Sequence, residues 1–154
     1  MSSSDAIKNG ILVSPGHPLN GALVSLKWSN GVIDEIGKEV GPADIIIDAQ
    51  GGFISSGWCD VYSVLPDPGA EWKERIDTFS HAAHLAGFTQ SAVFAGVDPL
   101  PVKASSIISL KQRAKDLKID LLPLGAASEA REGKEMAEVN DMFLAGAVAQ
   151  TDGI

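Results

Sequence analysis

Residues 56–69 read Ser-Gly-Trp-Cys-Asp-Val-Tyr-Ser-Val-Leu-Pro-Asp-Pro-Gly, and they mark the point where the pattern of the chain changes. Alternate residues of a strand point to the same side, so Asp60, Tyr62 and Val64 are predicted to face together into whatever this strand lines. Zinc and related metals bind imidazole, thiolate or carboxylate donors, and neither a valine nor, ordinarily, a neutral phenol supplies one. The stretch therefore predicts a strand with a poor set of metal ligands.

Strands and helices alternate after Gly51, which is typical of parallel β/α units. Three helices are predicted from apolar residues at helical spacing. Their stripes are Trp72/Ile76/Phe79/Ala83/Ala86, Ile107/Leu110/Ala114/Leu117 and Met136/Val139/Phe143. Strands are predicted at 89–94, 119–124 and 147–150. Counted from Phe53, this gives about four parallel strands and three helices, an α/β arrangement in which residues 53–154 form a partial barrel.

Residues 1–52 are predicted to form a separate, small antiparallel β module of short strands and turns. Asn30-Gly31 indicates a hairpin, because a type I′ turn needs positive φ at both central positions. An eight-stranded α/β barrel needs about 250 residues, so 154 residues cannot close such a barrel alone. The open edges of the first and fourth strands are expected to pair with the rest of the protein's own chain or with an oligomer partner.

The stretch 56–69 resembles the motif P-G-x-x-D-x-H-x-H-L-R-x-P-G at the first barrel strand of the dihydroorotase branch of the amidohydrolase superfamily. Residues 71–76 are similar to the family's E-x-K-E-[ST]-I, residues 86–89 to its G-G-[FV]-T, and residues 145–149 to its A-G-A-V-A. The resemblance implies the first half of a TIM-like (β/α)8 barrel, preceded by part of a β-sandwich. It also implies a zinc-dependent hydrolase of cyclic amides with a pyrimidine-pathway origin.

When the family's motif is compared residue by residue, the resemblance implies that this site lacks the side chains that bind zinc and substrate. The family's two zinc-binding histidines and its substrate-binding arginine correspond to Tyr62, Val64 and Pro66, and its first P-N-T-N-P asparagine corresponds to Gly96. Asp152 matches an aspartate that can bridge two metals in the family, but a lone carboxylate is expected to be a turn residue or solvent-exposed. No catalytic residue, intact metal site or cofactor is therefore expected, although the family uses zinc.

Two other classes of function are also compatible with the sequence. One is an active cyclic-amide hydrolase of the dihydroorotase, hydantoinase or allantoinase type, with a metal site supplied by the C-terminal half that this chain lacks. The other is a self-sufficient small binding domain. Some inactive dihydroorotase homologues are structural partners of aspartate transcarbamoylase, so the resemblance implies a scaffolding role with that partner.

The net charge and the amino-acid composition restrict the kinds of binding partner and the cellular compartment that we expect. A net charge of −8 disfavours nucleic acid, and no apolar run reaches the ~20 residues that span a membrane. A single cysteine, Cys59, fits a reducing cytoplasm and is predicted to be a small buried hydrophobe. His81 and His84 are predicted to lie on the outward face of the first helix, and His17 in a loop.

Overall fold

A computed structural model describes residues 3–153 of the protein and divides into two compact units, the first ending at Ser56 and the second beginning at Gly57. The boundary predicted from the sequence lies after residue 52. The difference concerns the short strand Phe53–Ser55, which pairs with the first strand of the chain and so lies in the first unit.

The first unit is a five-stranded mixed sheet. Its strands are β1 (Ser4–Val13), β2 (Leu23–Ser29), β3 (Val32–Gly37), β4 (Ile45–Asp48) and β5 (Phe53–Ser55). The predicted antiparallel pairing holds for β1–β2 and β2–β3, and the β2–β3 turn has positive φ at both Asn30 and Gly31. In contrast, β4 and β5 both pair with β1 in parallel, because the chain crosses back to the other edge of β1 after β3.

The second unit is a four-stranded parallel sheet with helices between its strands, as predicted. Its elements are β6 (Trp58–Leu65), α1 (Ile76–Leu85), β7 (Phe88–Ala95), α2 (Ala104–Ala114), β8 (Asp120–Gly125), a 3₁₀ turn (Glu129–Arg131), α3 (Val139–Ala145) and β9 (Ala149–Gln150). The strand order is β6-β7-β8-β9, which confirms the first half of a TIM-like barrel. Cys59 is exposed, contrary to prediction, because β6 is an outer strand of this sheet.

Apolar side chains cover both faces of this sheet. The helix-side cluster is Leu65, Val93, Ala95, Leu110, Ile119 and Leu121, packed against Ile76, Phe79 and Ala83 of α1. The opposite face corresponds to the lumen of a closed barrel, and its cluster is Ala92, Phe94, Leu124 and Ala126, packed against Tyr62, Leu100, Val102 and Leu122. We call the second set the lumen cluster. The two central strands therefore have a packed layer on each side.

The predicted helical stripes are right for the middle of the unit and wrong at two places. Trp72 precedes α1 and is exposed, because the helix begins only at Ile76. In α3 the buried residue is Met142, whereas Met136 lies before the helix and is 82% exposed. Phe143 follows Met142 by about 100° around the axis and points outward. The seven-residue helix ends at Gly146, which has the left-handed backbone of a helix C-terminus.

Candidate functional site

The strand that carries the sequence motif has a bulge, and the bulge changes which side chains share a face. Asp60 pairs with Ser91 and Ser63 pairs with Val93, so three steps along β6 match two steps along β7. Ser91 and Val93 lie on the same face of β7, and Asp60 and Ser63 therefore lie together on that face as well. The prediction that Asp60 faces with Tyr62 and Val64 is wrong, because the extra residue breaks the alternation.

Asp60 is held on the helix side of the sheet by contacts within its own strand. Its carboxylate accepts hydrogen bonds from the N–H of Tyr62 at 3.1 Å and from the hydroxyl of Ser63. The Ser63 hydroxyl in turn accepts one from the buried Ser91 hydroxyl at 3.4 Å. Asp60 lines a cleft with Phe79 of α1, on the opposite side from the lumen cluster. Its polar contacts thus stabilise the bulge.

Tyr62 lies on the lumen side of the sheet. Its ring packs against the lumen cluster, which includes Phe94 of β7. Its hydroxyl is buried and has no hydrogen-bond partner among residues 3–153. Val64 lies on the same side of β6 and is 54% exposed. A phenol surrounded by alkyl and aryl groups, next to a valine, does not fit a zinc ion, which needs several nitrogen, sulfur or carboxylate donors together.

Pro66 and Gly96, which follow two neighbouring strands, have no side-chain hydrogen-bond donor. Pro66 directly follows β6 and its carbonyl accepts a hydrogen bond from the N–H of Ala70 at 2.8 Å. Gly96 directly follows β7 with a φ of +98°, and an added Cβ would lie 2.8 Å from the carbonyl oxygen of Pro99. An asparagine at this position would meet both a strained backbone and a steric clash. The backbone conformation at this position therefore favours glycine.

Asp152 is neither in a turn nor fully exposed, although the sequence predicts a turn residue or a solvent-exposed one. It is half-buried, and the N–H groups of Ala127 and Ser128 donate to its Oδ1 at 3.1 and 2.8 Å. The hydroxyl of Ser128 donates to Oδ2 at 2.8 Å and accepts from the N–H of Gly133, also at 2.8 Å. The N–H of Ser128 is the main cause of a lowered pKa for the Asp152 carboxyl, with further help from the Ser128 hydroxyl. The carboxylate therefore binds the loop that follows β8.

Arg131 joins this group and was missed by sequence reasoning. Its Nε donates to the carbonyl oxygen of Asp152, and its guanidinium lies 5.4 Å from the centre of the Phe94 ring. Ala130 and Arg131 both have positive φ, at 51° and 60°. Alanine and arginine rarely adopt positive φ, so these two residues do not predict this conformation. In residues 128–133, Ser-Glu-Ala-Arg-Glu-Gly, only Gly133 indicates a tight turn.

The structure thus brings Tyr62, Arg131 and Asp152 to the region around Phe94 and leaves Asp60 on the other side of the sheet. Across residues 3–153, no group of three or more His, Cys, Asp or Glu side chains is arranged to hold a metal ion. His81 and His84 are exposed on α1, as predicted. Within the same residues, no helix combines the length and the apolar composition needed to cross a bilayer.

Comparison with known sequences gives dihydroorotases as relatives, although no protein-family model matches the chain. The dihydroorotase of Acetivibrio thermocellus is 36% identical over 149 residues, which cover 95% of this chain and 34% of the relative. The dihydroorotase of Aquifex aeolicus is 34% identical over 149 residues, with 95% and 35% covered. The chain spans about a third of the length of these relatives.

Solved structures with the same fold are amidohydrolases. The L-hydantoinase (dihydropyrimidinase) from Arthrobacter aurescens superposes with a TM-score of 0.79 at 22% identity, covering 97% of this chain and 32% of that one. A dihydroorotase superposes with a TM-score of 0.65 at 14% identity, covering 96% and 42%. This chain is therefore a homologue of dihydroorotases along nearly its whole length, and it shares its fold with part of the L-hydantoinase structure.

Proposed function

We propose that this chain is a dihydroorotase homologue that does not open cyclic amides, and that it serves as a structural component of pyrimidine biosynthesis in the cytoplasm. The main support for the proposal is the packing of the Tyr62 side chain. Its ring fills the lumen cluster at the position where the family places its first zinc-binding imidazole.

Zinc chemistry in such a site depends on ligands that this strand does not provide. A bound zinc ion lowers the pKa of its water towards about 7, but only when typically three protein ligands hold it. Tyr62 and Val64 replace two of them, and Asp152 already accepts three hydrogen bonds from the loop after β8. Loss of two direct ligands removes most of the affinity of a metal site.

Recognition of an anionic substrate is weakened at Pro66 and Gly96, which follow the ends of β6 and β7. An arginine grips a carboxylate through two parallel hydrogen bonds, and Pro66 has no donor at all. Gly96 has no side-chain amide, and its backbone leaves no room for one. These two changes are independent of the metal ligands, so they support loss of catalysis by a second route.

The partner that we propose is aspartate transcarbamoylase from the same organism. The proposal rests on the family resemblance, in which inactive homologues take this structural role. Mixing the two purified proteins and analysing them by size-exclusion chromatography with light scattering tests it. We expect a stable complex at micromolar concentrations; two separate peaks under these conditions would rule the partner out.

The test of inactivity is a paired measurement on the protein purified with zinc in every buffer. Bound metal is measured by mass spectrometry, and turnover of dihydroorotate, hydantoin and allantoin is followed alongside, with the Acetivibrio thermocellus dihydroorotase as the positive control for dihydroorotate. We expect well below one zinc per chain and no turnover above the uncatalysed rate. Stoichiometric zinc with hydrolysis of dihydroorotate, hydantoin or allantoin would instead support the active-hydrolase alternative.

A further inference from the structure

The dipeptide Asn-Gly occurs three times in the first unit, at residues 9–10, 20–21 and 30–31. In this dipeptide the main-chain nitrogen of the glycine can attack the side-chain amide carbon of the asparagine. Glycine has no Cβ, so little steric resistance opposes the approach. The reacting atoms are the same in all three copies, and the contacts around each copy therefore set how fast it reacts.

The reaction needs only water and a base. The glycine nitrogen gives up its proton and forms a bond to Cγ of the asparagine, while the bond from Cγ to the amide nitrogen breaks and that nitrogen takes up a proton and leaves as ammonia. Water then opens the resulting cyclic imide at one of its two carbonyl groups. One opening gives aspartate. The other gives isoaspartate, in which the main chain runs through the former side-chain carbon.

The first copy is fixed inside the sheet. The Nδ2 of Asn9 donates to Oδ1 of Asp48 at 3.0 Å, and the carbonyl of Asn9 accepts a hydrogen bond from the N–H of Gly51 at 2.8 Å. Gly10 is buried, and an added Cβ there would lie 2.2 Å from a carbon of the Ile54 side chain. Cyclisation at Asn9 therefore requires this part of β1 to leave its neighbours.

The second copy is exposed, but both of its reacting groups are held. The Oδ1 of Asn20 accepts a hydrogen bond from the N–H of Ser14 at 2.8 Å. The attacking group, the N–H of Gly21, donates to the carbonyl of Leu12 at 2.7 Å. Both hydrogen bonds must break before the ring can form at Asn20.

The third copy forms the tip of the β2–β3 hairpin and lacks such contacts. Asn30 and Gly31 are exposed, and within residues 3–153 neither the side-chain amide of Asn30 nor the N–H of Gly31 has a hydrogen-bond partner. The last pair of the ladder is Ser29–Val32, so the two reacting residues are the whole loop. Rotation about the Cα–C bond of Asn30 brings the reacting atoms together and opens the turn. That opening breaks few contacts, because β3 is an edge strand with residues 32–36 exposed.

We propose that Asn30 is a site of spontaneous deamidation, which converts to aspartate and isoaspartate before Asn9 or Asn20 reacts. A carboxylate replaces a neutral amide, so the formal net charge changes from −8 to −9. The site is set by the hairpin and does not depend on whether the protein hydrolyses an amide substrate.

The two products have different consequences for the hairpin. Aspartate keeps the turn, because Asp-Gly also favours the type I′ conformation. Isoaspartate adds a carbon atom to the main chain within a loop of two residues, and the length of such a loop fixes the register of the two strands. The isoaspartate form should therefore lose pairing between β2 and β3, whereas the aspartate form should keep it.

The experiment incubates the purified protein at mildly alkaline pH and follows the more acidic species by isoelectric focusing. Peptide mapping by mass spectrometry locates the change, and enzymatic methylation of isoaspartate separates the two products. We expect conversion at Asn30 to be about tenfold or more faster than at Asn9 or Asn20, whose hydrogen bonds must first break. Asn30→Asp should stop the accumulation of the acidic species. Asn20→Asp, the matched control, should leave its rate unchanged.

The same measurement in concentrated urea separates structure from sequence on the unmodified protein. Unfolding removes the contacts of all three copies, so their rates should become similar. Three results would overturn the proposal: faster conversion of Asn9 or Asn20 than of Asn30 in the folded protein, no conversion of Asn30, or the same preference for Asn30 in urea.

Hydrogen exchange on the separated products tests the effect on the hairpin. Amides of β3 should be less protected in the isoaspartate form than in the aspartate form, while those of β1 should be equally protected in both. Equal protection of β3 in the two forms would contradict the change of register.

Discussion

Asp152 and Ser128 are joined by two hydrogen bonds that engage both carboxylate oxygens, one from the N–H and one from the hydroxyl of Ser128, each 2.8 Å long. They tie the segment after β9 to the loop after β8. Both oxygens of the carboxylate are therefore engaged in holding this loop.

The first prediction concerns the structural role of this carboxylate. Asp152→Ala leaves the N–H groups of Ala127 and Ser128 without their acceptor, so the melting temperature should fall. Asp116→Ala, which removes an exposed carboxylate after α2, serves as the control and should leave it nearly unchanged. Thermal unfolding followed by circular dichroism measures both, and equal melting temperatures for Asp152→Ala and the unmodified protein would contradict the role.

The second prediction is the pH dependence of the same contribution. Hydrogen bonds from Ser128 lower the pKa of Asp152 below the ordinary value of 3.8. A carboxyl whose pKa is lower in the folded state stabilises the fold above its unfolded pKa and loses that effect as the pH falls through its folded pKa. The difference in melting temperature between the unmodified protein and Asp152→Ala should thus be constant from pH 7 to about 5 and shrink at lower pH.

Other carboxyls also titrate in this range, so only the difference between the two proteins is diagnostic. Asp48, for example, has a pKa lowered by a hydrogen bond from the side chain of Asn9, and it contributes equally to both melting curves. A difference that widens as the pH falls below 4 would contradict the assignment.

The third prediction concerns a pair that links the start of α1 to α2. Asp67 is 3% exposed, accepts a hydrogen bond from the N–H of Ile76 at 2.9 Å, and forms an ion pair with Arg113. Asp67→Ala should lower the free energy of unfolding by about 2 kcal/mol, less than for a fully buried pair because Arg113 is partly in solvent. Urea denaturation measures the loss.

A double-mutant cycle separates the ion pair from the cap on Ile76. Arg113→Ala alone should cost less than Asp67→Ala, and the two together should cost less than their sum. Strict additivity would mean that the two side chains do not interact. Asp120→Ala, at the exposed start of β8, is a control for loss of a carboxylate.

The fourth prediction compares two methionines of the same region. Met142 lies on α3, and its fully buried side chain packs against Ile107 of α2 and against Ala147. Met136, by contrast, is 82% exposed. Met142→Ala should cost about 2–4 kcal/mol of unfolding free energy and Met136→Ala less than about 0.5 kcal/mol. The reverse order would favour the helical stripe through Met136 that the sequence predicts.

The order of strands and helices in the second unit could be predicted from the sequence because its core depends on apolar periodicity. Ile76, Phe79 and Ala83 show this, since their spacing alone indicates the buried face of α1. Periodicity failed for Met142, because the position of the buried face depends on where the short helix begins. It also failed for β4 and β5, whose parallel pairing with β1 depends on how the chain crosses over.

The geometry of the site was less accessible from sequence. The resemblance predicts that Tyr62, Val64 and Pro66 replace side chains of the family's site. The bulge that turns Asp60 to the other face could not be predicted, because it depends on the register between β6 and β7. The Ser128–Asp152 contact joins residues 24 positions apart through a loop in which Ala130 and Arg131 take positive φ. No local pattern encodes such a backbone in alanine and arginine.

Equilibrium dialysis against micromolar zinc, followed by metal analysis of the unmodified protein and of Asp152→Ala, tests the central claim most directly. If the lumen side of β6 has lost its metal donors, both proteins should retain well below one zinc per chain, with no difference between them. One zinc per chain in the unmodified protein, lost in Asp152→Ala, would contradict the account.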